Sequence, residues 1–341
     1  MKHTTLKAAL SAVLALTLSA CGGAAAPAEP AETTAAAGES KTYKVAIVKQ
    51  LDHASLDEIA NAIAAELDEL AAKNGVTIDY GSIYSGQNDQ TVLQQIGSQA
   101  IADDVDVIIP IATLAAQTMT AAAGDTKTPI VYAAISDPEA AELTGIDYVT
   151  GTSDALNTDV IMNMVFAQNP DAKKIGLLYS KSEANSAKPI AEAKAYLDAK
   201  GIEYIEATGN TNDEVQQAVS SLIGQSVDAI FTPTDNVVMA AELSFAGDLA
   251  EAGIPHYTGA DSFVRNGAYT TCGVNYTELG KKTADYAFEV LVNGGKGSLE
   301  DYYLMDGGIV TVNTETAETL GLDYSVFKQF GELVEVTTTE D

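Results

Sequence analysis

Cysteine, histidine and basic side chains are scarce in this 341-residue chain. Its two cysteines, Cys21 and Cys272, cannot supply a disulfide framework. His53 and His256 stand far apart and make a poor metal site, so we expect no metal and no other cofactor. Only 18 lysines and arginines face 48 acidic residues, and the formal net charge of -30 argues against nucleic-acid binding, which needs a basic face.

The N-terminus carries the pattern of a bacterial export signal. Lys2 and Lys7 precede an uncharged apolar stretch over residues 8–20, and Leu-Ser-Ala-Cys-Gly occupies 18–22. Leu-Ser-Ala-Cys resembles the lipobox, in which the cysteine is diacylated and becomes the new N-terminus. We therefore predict a signal peptide over 1–20 and a Cys21 that carries acyl chains such as palmitate. An ordinary secretory signal or a short membrane anchor is the alternative.

Residues 21–41 predict a tether between this cysteine and a folded body. After Cys21 the segment reads GGAAAPAEPAETTAAAGESK, which contains no large apolar residue and so has nothing to bury. Two acyl chains anchor a protein stably where one is marginal. The expected location is therefore outside the cytoplasm, held by lipid to the bacterial cell membrane.

From residue 42 onward, strand and helix patterns alternate, which is typical of an α/β fold. Strands are predicted at 43–48, 76–83, 107–111, 129–134, 174–179, 202–207, 228–231 and 254–258. The order of elements repeats after residue 151 and predicts two doubly wound lobes. A later strand at 268–274, a helix at 276–293 and a weaker strand at 308–312 indicate a chain that crosses back between the lobes. We assign 42–151 plus 265–297 to lobe 1 and 152–264 plus 298–341 to lobe 2.

Small polar and acidic residues follow most of these strands. In open α/β sheets a ligand binds beyond the carboxyl ends of the strands, so these residues are expected to face one cleft. Each one alone is better explained as a helix N-cap. Together they suit a zwitterion, with Asp235, Asp261 or Glu183 against an ammonium group, although a sugar or nucleoside could use the same hydroxyls and amides. The candidate ligand-binding residues are Gln50, His53, Thr113, Ala115, Ser136, Asp137, Ser153, Asn185, Ser186, Thr234, Asp235, Asn236, Asp261 and Tyr276.

Five of these segments resemble the signature blocks of one family. They are SDP at 136–138, GTSD at 151–154, SEANS at 182–186, PTDN at 233–236 and GVNYTELG at 273–280. In this order they are similar to those of the ABC-transporter substrate-binding lipoproteins that take up tryptophan, tyrosine or phenylalanine. The chain departs from that family at Asp52-His53-Ala54, where members often read Glu-His-Pro.

The resemblance implies a type I periplasmic-binding-protein-like fold, with two lobes joined by three crossings. It also implies a monomer that closes on a small ligand and delivers it to a permease, which works with a cytoplasmic ATPase. At the matching positions, the backbone amides of Thr113 and Ala115 would hold the ligand carboxylate, assisted by Ser136 and by Asn185 or Ser186. Asp235 and Asp261 would hold the ammonium, with Asn236 close by. Tyr84, Tyr132 and Tyr276 are the candidates for an aromatic pocket wall.

Catalytic patterns are missing from the sequence. No G-x-S-x-G, Walker, G-x-G-x-x-G, H-E-x-x-H or EF-hand pattern appears. His53 could act as a general base, but its place after a strand favours a ligand contact or a cap. We therefore expect a binding protein and not an enzyme. A lipid-anchored enzyme or a sensor ectodomain on the same fold is the alternative.

Overall fold

The computed structural model describes residues 41–339. The predicted signal peptide, Cys21 and the tether up to residue 40 lie outside this part of the chain. Among the described helices, none is both long enough and apolar enough to cross a membrane.

The first of two sheets is parallel and holds the first strands of the chain. Its spatial order is β12-β6-β5-β4-β1-β2, and β3 pairs with the C-terminal end of β1. Its strands are β1 (Thr42–Lys49), β2 (Thr77–Asp79), β3 (Tyr84–Ser85), β4 (Val107–Ile111), β5 (Ile130–Tyr132), β6 (Val149–Ser153) and β12 (Tyr303–Leu304). All five residues of β4 are buried, because helices cover both faces of a parallel sheet.

The second sheet has the order β14-β13-β11-β10-β9-β7-β8 and is parallel except for the β11–β13 pair. Its strands are β7 (Lys174–Tyr179), β8 (Glu203–Thr208), β9 (Ala229–Thr232), β10 (His256–Thr258), β11 (Thr270–Gly273), β13 (Ile309–Asn313) and β14 (Glu332–Val336). Each sheet with its helices forms one lobe, so the predicted pair of doubly wound lobes is confirmed.

Helices flank both sheets. Those of the first lobe are α1 (Ala54–Asn74), α2 (Gln90–Ala102), α3 (Thr113–Ala122) and α10 (Tyr276–Asn293). Those of the second are α4 (Thr158–Gln168), α5 (Ala187–Lys200), α6 (Asn212–Gly224), α7 (Asn236–Ala241), α8 (Ala246–Glu251), α9 (Asp261–Arg265) and α11 (Thr314–Leu320). Short 3-10 turns at Ala184–Ser186, Glu242–Ser244 and Tyr324–Gln329 complete the second lobe.

The chain passes between the sheets three times, after β6, after β11 and after β12. Two of the predicted boundaries differ from this arrangement. Strand β11 pairs with β10 and β13, so residues 270–273 belong to lobe 2, whereas 265–297 was assigned to lobe 1. Strand β12 pairs with β6 and belongs to lobe 1, whereas 298–341 was assigned to lobe 2. Pairing partners are set by tertiary contacts that chain order does not reveal.

Candidate functional site

The loops after the strands of both sheets meet around one small cavity between the lobes. Its volume is about 30 Å³, which is room for a water molecule or two and far less than the several hundred Å³ of a usual ligand site. Eight of the predicted residues line it: His53, Thr113, Ser136, Asn185, Thr234, Asp235, Asn236 and Tyr276. The lobes are therefore closed on each other.

Three hydrogen bonds cross between the lobes at this point. Gln50 Nε2 donates to Glu183 Oε1 at 2.9 Å. His53 Nε2 lies 3.0 Å from Asn236 Oδ1, and because that oxygen can only accept, Nε2 carries the proton. The hydroxyls of Ser136 and Thr234 are 3.0 Å apart. Residues that the sequence places more than 90 positions apart are thus brought together at one site.

Three buried polar atoms on the cavity wall have no hydrogen-bond partner within the part of the chain that the structure describes. They are His53 Nδ1, Ser55 Oγ and Ser262 Oγ. Buried polar atoms are normally paired, and leaving one unpaired costs about 1–3 kcal/mol. Burial also lowers the pKa of His53 to about 4, so its ring is neutral and Nδ1 is an acceptor. The wall offers these atoms to a polar ligand.

Asp154 places a carboxylate on the same wall. It accepts hydrogen bonds from Ser136 Oγ at 3.0 Å and Tyr276 Oη at 3.2 Å. Complete burial raises its pKa, and within the described residues no lysine, arginine or histidine forms an ion pair with it. A ligand cation would supply the missing counter-charge. Asp154 stands in the GTSD block but was not among the predicted ligand residues.

Asp235 differs from the expectation that it pairs with an ammonium group. Its Oδ1 caps α7 by accepting from the amides of Val237 at 3.1 Å and Val238 at 3.0 Å. Its Oδ2 accepts from Ser180 N and Ser186 Oγ, both at 2.7 Å. Both oxygens of Asp235 are therefore used within the protein, and Ser186 holds this aspartate instead of pointing at a ligand.

Glu183 sits between the lobes behind the cavity. Besides Gln50, it accepts from Asn236 Nδ2 at 2.7 Å. Gln50 Oε1 in turn accepts from the amide of Leu114 at 3.0 Å, in the first turn of α3. Burial, and then the nearby Asp235 carboxylate, raise the pKa of Glu183 to about 7.

The remaining predicted residues lie beside the cavity. Ala115 is buried in the first turn of α3, and Ser153 is buried at the end of β6. Asp137 pairs with Lys188 across the lobes at 3.2 Å, and Asp261 Oδ2 accepts from Arg265 Nη2 at 2.7 Å. Of the aromatic candidates, Tyr276 lines the cavity, Tyr132 is buried within β5 and Tyr84 is exposed.

Sequence reasoning missed several residues of the wall. Ser55 follows β1 after five intervening residues and Ser262 follows β10 after three, and neither carries a pattern that separates it from other residues at the start of a helix. Leu56, Met239 and Phe263 give the wall its apolar part, and their helical positions alone indicate only packing. A second, open groove of about 670 Å³ is lined by all three crossings and shares Asp154 and Tyr276 with the cavity.

Comparison with known proteins identifies the family. The chain matches the family described as ABC transporter substrate binding protein over residues 44–327. It is 32% identical over 292 residues to a protein named tyrosine-binding protein from Clostridioides difficile, covering 83% of each chain.

Two solved structures bear on the conformation as well as the fold. A Streptococcus pneumoniae ABC domain in complex with L-Trp is 28% identical, with 86% of this chain and 100% of that chain covered and a TM-score of 0.77. A ligand-free, open substrate binding protein with adhesive properties from Clostridium difficile is 29% identical, with 87% and 100% covered and a TM-score of 0.64. The lower TM-score against the structure described as open agrees with closed lobes in this chain. The chain belongs to the ABC transporter substrate-binding protein family.

Proposed function

We propose that this chain binds an aromatic amino acid between its lobes and delivers it to an ABC permease. The observation that carries the proposal is the cavity wall. Among the described residues, its buried Asp154 carboxylate has no counter-ion, three of its polar atoms have no hydrogen-bond partner, and part of it is apolar. The names of the tyrosine-binding relative and of the L-Trp complex support the choice of ligand. As a binding protein, the chain would release its ligand chemically unchanged.

Different groups around the cavity would hold the two charges of the amino acid. Asp154 would pair with the ammonium group, and His53 Nδ1 would accept a further hydrogen bond from it. The first amides of a helix have no acceptor within the helix and favour an anion. Gln50 uses the amide of Leu114, so those of Thr113 and Ala115 would be left for the carboxylate.

A screen of the soluble domain tests this ligand assignment. Thermal shift against the twenty amino acids, sugars and nucleosides should give the largest stabilisation with tyrosine, tryptophan or phenylalanine. Calorimetry should then give one site, and mass spectrometry should recover the ligand unmodified. Asp154→Asn should weaken binding at least about tenfold, because a charge-assisted hydrogen bond is lost. Stabilisation by sugars alone, or a chemically altered ligand, would refute the proposal.

The membrane anchor is part of the same proposal. Acylation of Cys21 would hold the protein outside the cytoplasm beside its permease. The segment over 21–41 would act as a tether that lets the folded lobes, as a monomer, reach the permease. Replacing Cys21 by serine should move the protein from the membrane fraction to the medium or periplasm. Unchanged membrane association of that variant would contradict the anchor while leaving the ligand assignment in place.

A further inference from the structure

Glu183 connects the two lobes through a chain of amide side chains. Its carboxylate accepts from Gln50 of the first lobe at 2.9 Å and from Asn236 of its own lobe at 2.7 Å. Gln50 continues the chain to the amide of Leu114, and Asn236 continues it to the ring of His53. One carboxylate thus holds together the start of α3 and the histidine on the cavity wall.

The electrostatic surroundings of Glu183 are unusual for a buried carboxylate. Its charged neighbour is the Asp235 carboxylate, which is also buried, and burial raises the pKa of that group too. Within the described residues no lysine or arginine pairs with either group, since Lys188 on α5 pairs instead with Asp137. Helices α3 and α7 carry no titratable side chain. The loop after β1 carries His53 and the exposed Asp52, which pairs with Lys49, and the loop after β7 carries the exposed Lys181. None of these described groups forms an ion pair with Glu183 or Asp235. The hydrogen bonds from Asn236 and Gln50 favour the charged form of Glu183, but burial and the Asp235 carboxylate outweigh them.

We propose that Glu183 is a positioning residue for the ligand site and that it takes up a proton from solvent as the lobes close. This rests on the proposed function, because ligand binding is what closes the lobes. Closure strips water from Glu183 and leaves it beside Asp235. Opening parts it from Gln50 and returns water to it. A carboxyl group that is dehydrated next to a second carboxylate holds a proton more tightly.

The direction of the pH effect follows from the two conformations. In the closed form the pKa of Glu183 is raised to about 7, and in the open form it lies nearer its ordinary value. The closed form therefore binds more protons in the interval between these values, and closure is favoured as the pH falls from 8 to 6. His53 acts oppositely, because burial lowers its pKa to about 4 and closure expels its proton at acidic pH.

Substitution of Glu183 separates its contribution to the pH dependence from that of His53. Binding of L-tyrosine or L-tryptophan is measured by calorimetry at pH 6, 7 and 8, in buffers that differ in ionisation enthalpy. At pH 7 the wild-type protein should take up a fraction of a proton that Glu183→Gln does not. The ratio of wild-type to variant affinity should rise about tenfold between pH 8 and pH 6. A constant ratio, or equal proton uptake by both proteins, would overturn the proposal.

A matched control tests whether loss of any side-chain interaction between the lobes makes the affinity change with pH in this way. Asp137→Asn breaks the Lys188 pair across the lobes, and the pKa of Asp137 is already lowered, so this group stays ionised between pH 6 and 8. Its effect on affinity should be equal at all three pH values. If Glu183→Gln does not fold, the absence of proton uptake by the wild-type protein at pH 7 alone refutes the proposal.

Small-angle X-ray scattering from the ligand-free protein distinguishes failure of the Glu183 proposal from failure of the ligand assignment. If no solute binds, the proposed function is wrong, yet Glu183 still joins the lobes. The radius of gyration should then increase from pH 6 to pH 8 in the wild-type protein and stay constant in Glu183→Gln. The same change in both proteins would exclude Glu183 as its cause.

Discussion

Asp235 and Asp154 show how little the identity of a residue says about its role. Both are buried aspartates beside the same cavity. Both have a raised pKa and no counter-ion among the described residues, but Asp235 receives four hydrogen bonds from its own lobe and Asp154 receives two. The first is satisfied by the protein and stabilises it. The second is left with a charge that a ligand can balance.

Removal of the Asp235 side chain should therefore reduce stability first. Asp235→Ala loses the cap of α7 and leaves the amide of Ser180 and the hydroxyl of Ser186 buried without an acceptor. A lost cap costs about 1 kcal/mol and each buried orphan about 1–3 kcal/mol, so unfolding should become easier by roughly 3 kcal/mol or more. Chemical denaturation measures this.

An exposed cap provides the comparison for Asp235. Asp89 caps α2 by accepting from the amides of Thr91 and Val92, at the protein surface. Asp89→Ala should lose clearly less stability than Asp235→Ala, because water can replace the lost acceptor. If Asp235→Ala abolished ligand binding with no loss of stability, Asp235 would be a ligand residue after all.

At the scale of elements, the packing of α1 against α10 depends on one glycine. A Cβ atom at Gly280 would lie 2.6 Å from Ala62 Cβ and 2.7 Å from the Ile59 carbonyl oxygen. Gly280→Ala should destabilise the first lobe by about 1–3 kcal/mol through overpacking, even though alanine favours a helix by about 1 kcal/mol. Thermal or chemical unfolding gives the value.

Gly224 is the matched control for this substitution. It ends α6, is exposed, and has no atom within 4 Å of an added Cβ. Gly224→Ala should leave stability unchanged or raise it slightly. Equal effects at the two positions would mean that helix propensity, and not the contact between α1 and α10, controls the result.

The sequence predicts strongly patterned elements well. Strand β7 and helix α10 have the predicted bounds, because an apolar run and a capped amphipathic repeat each leave a clear pattern. Of the predicted strand at 76–83 only β2 forms, and β3 begins just beyond it at Tyr84; between them Gly81 adopts a positive φ of 54°. Strand β12 consists of two exposed residues, so no alternation of apolar and polar residues predicts it.

The candidate site is predictable in position but not in detail. Residues after the strands do gather at one cavity, since parallel strands share their carboxyl ends. Whether an aspartate there meets protein donors or remains open to a ligand depends on tertiary contacts such as those of Ser180 and Ser186 with Asp235. No local pattern encodes those distances. The same holds for the boundaries between lobes, which follow strand pairing.

At the scale of the whole molecule, closure can be tested with a covalent lock. Ser136 Oγ and Thr234 Oγ1 are 3.0 Å apart on opposite lobes. The double variant Ser136→Cys, Thr234→Cys should form a disulfide in the closed state, and Cys272 is buried. Oxidised before ligand is added, it should take up no solute; oxidised afterwards, it should release none.

Reduction should restore exchange in the locked protein, as equilibrium dialysis would record. Each single-cysteine variant under the same oxidant is the control and should exchange ligand freely. If the oxidised double variant loaded and unloaded normally, ligand would have to reach its site without separation of the lobes.

The small size of the closed cavity has a consequence for timing. With about 30 Å³ between the lobes, an amino acid has no room to pass between them unless they separate. The residence time of a captured molecule is then limited by how often the hinge opens, and not by its own contacts alone. A permease that opens the lobes would shorten that time without contacting the bound solute. A solute-loaded protein far from any permease would retain its solute.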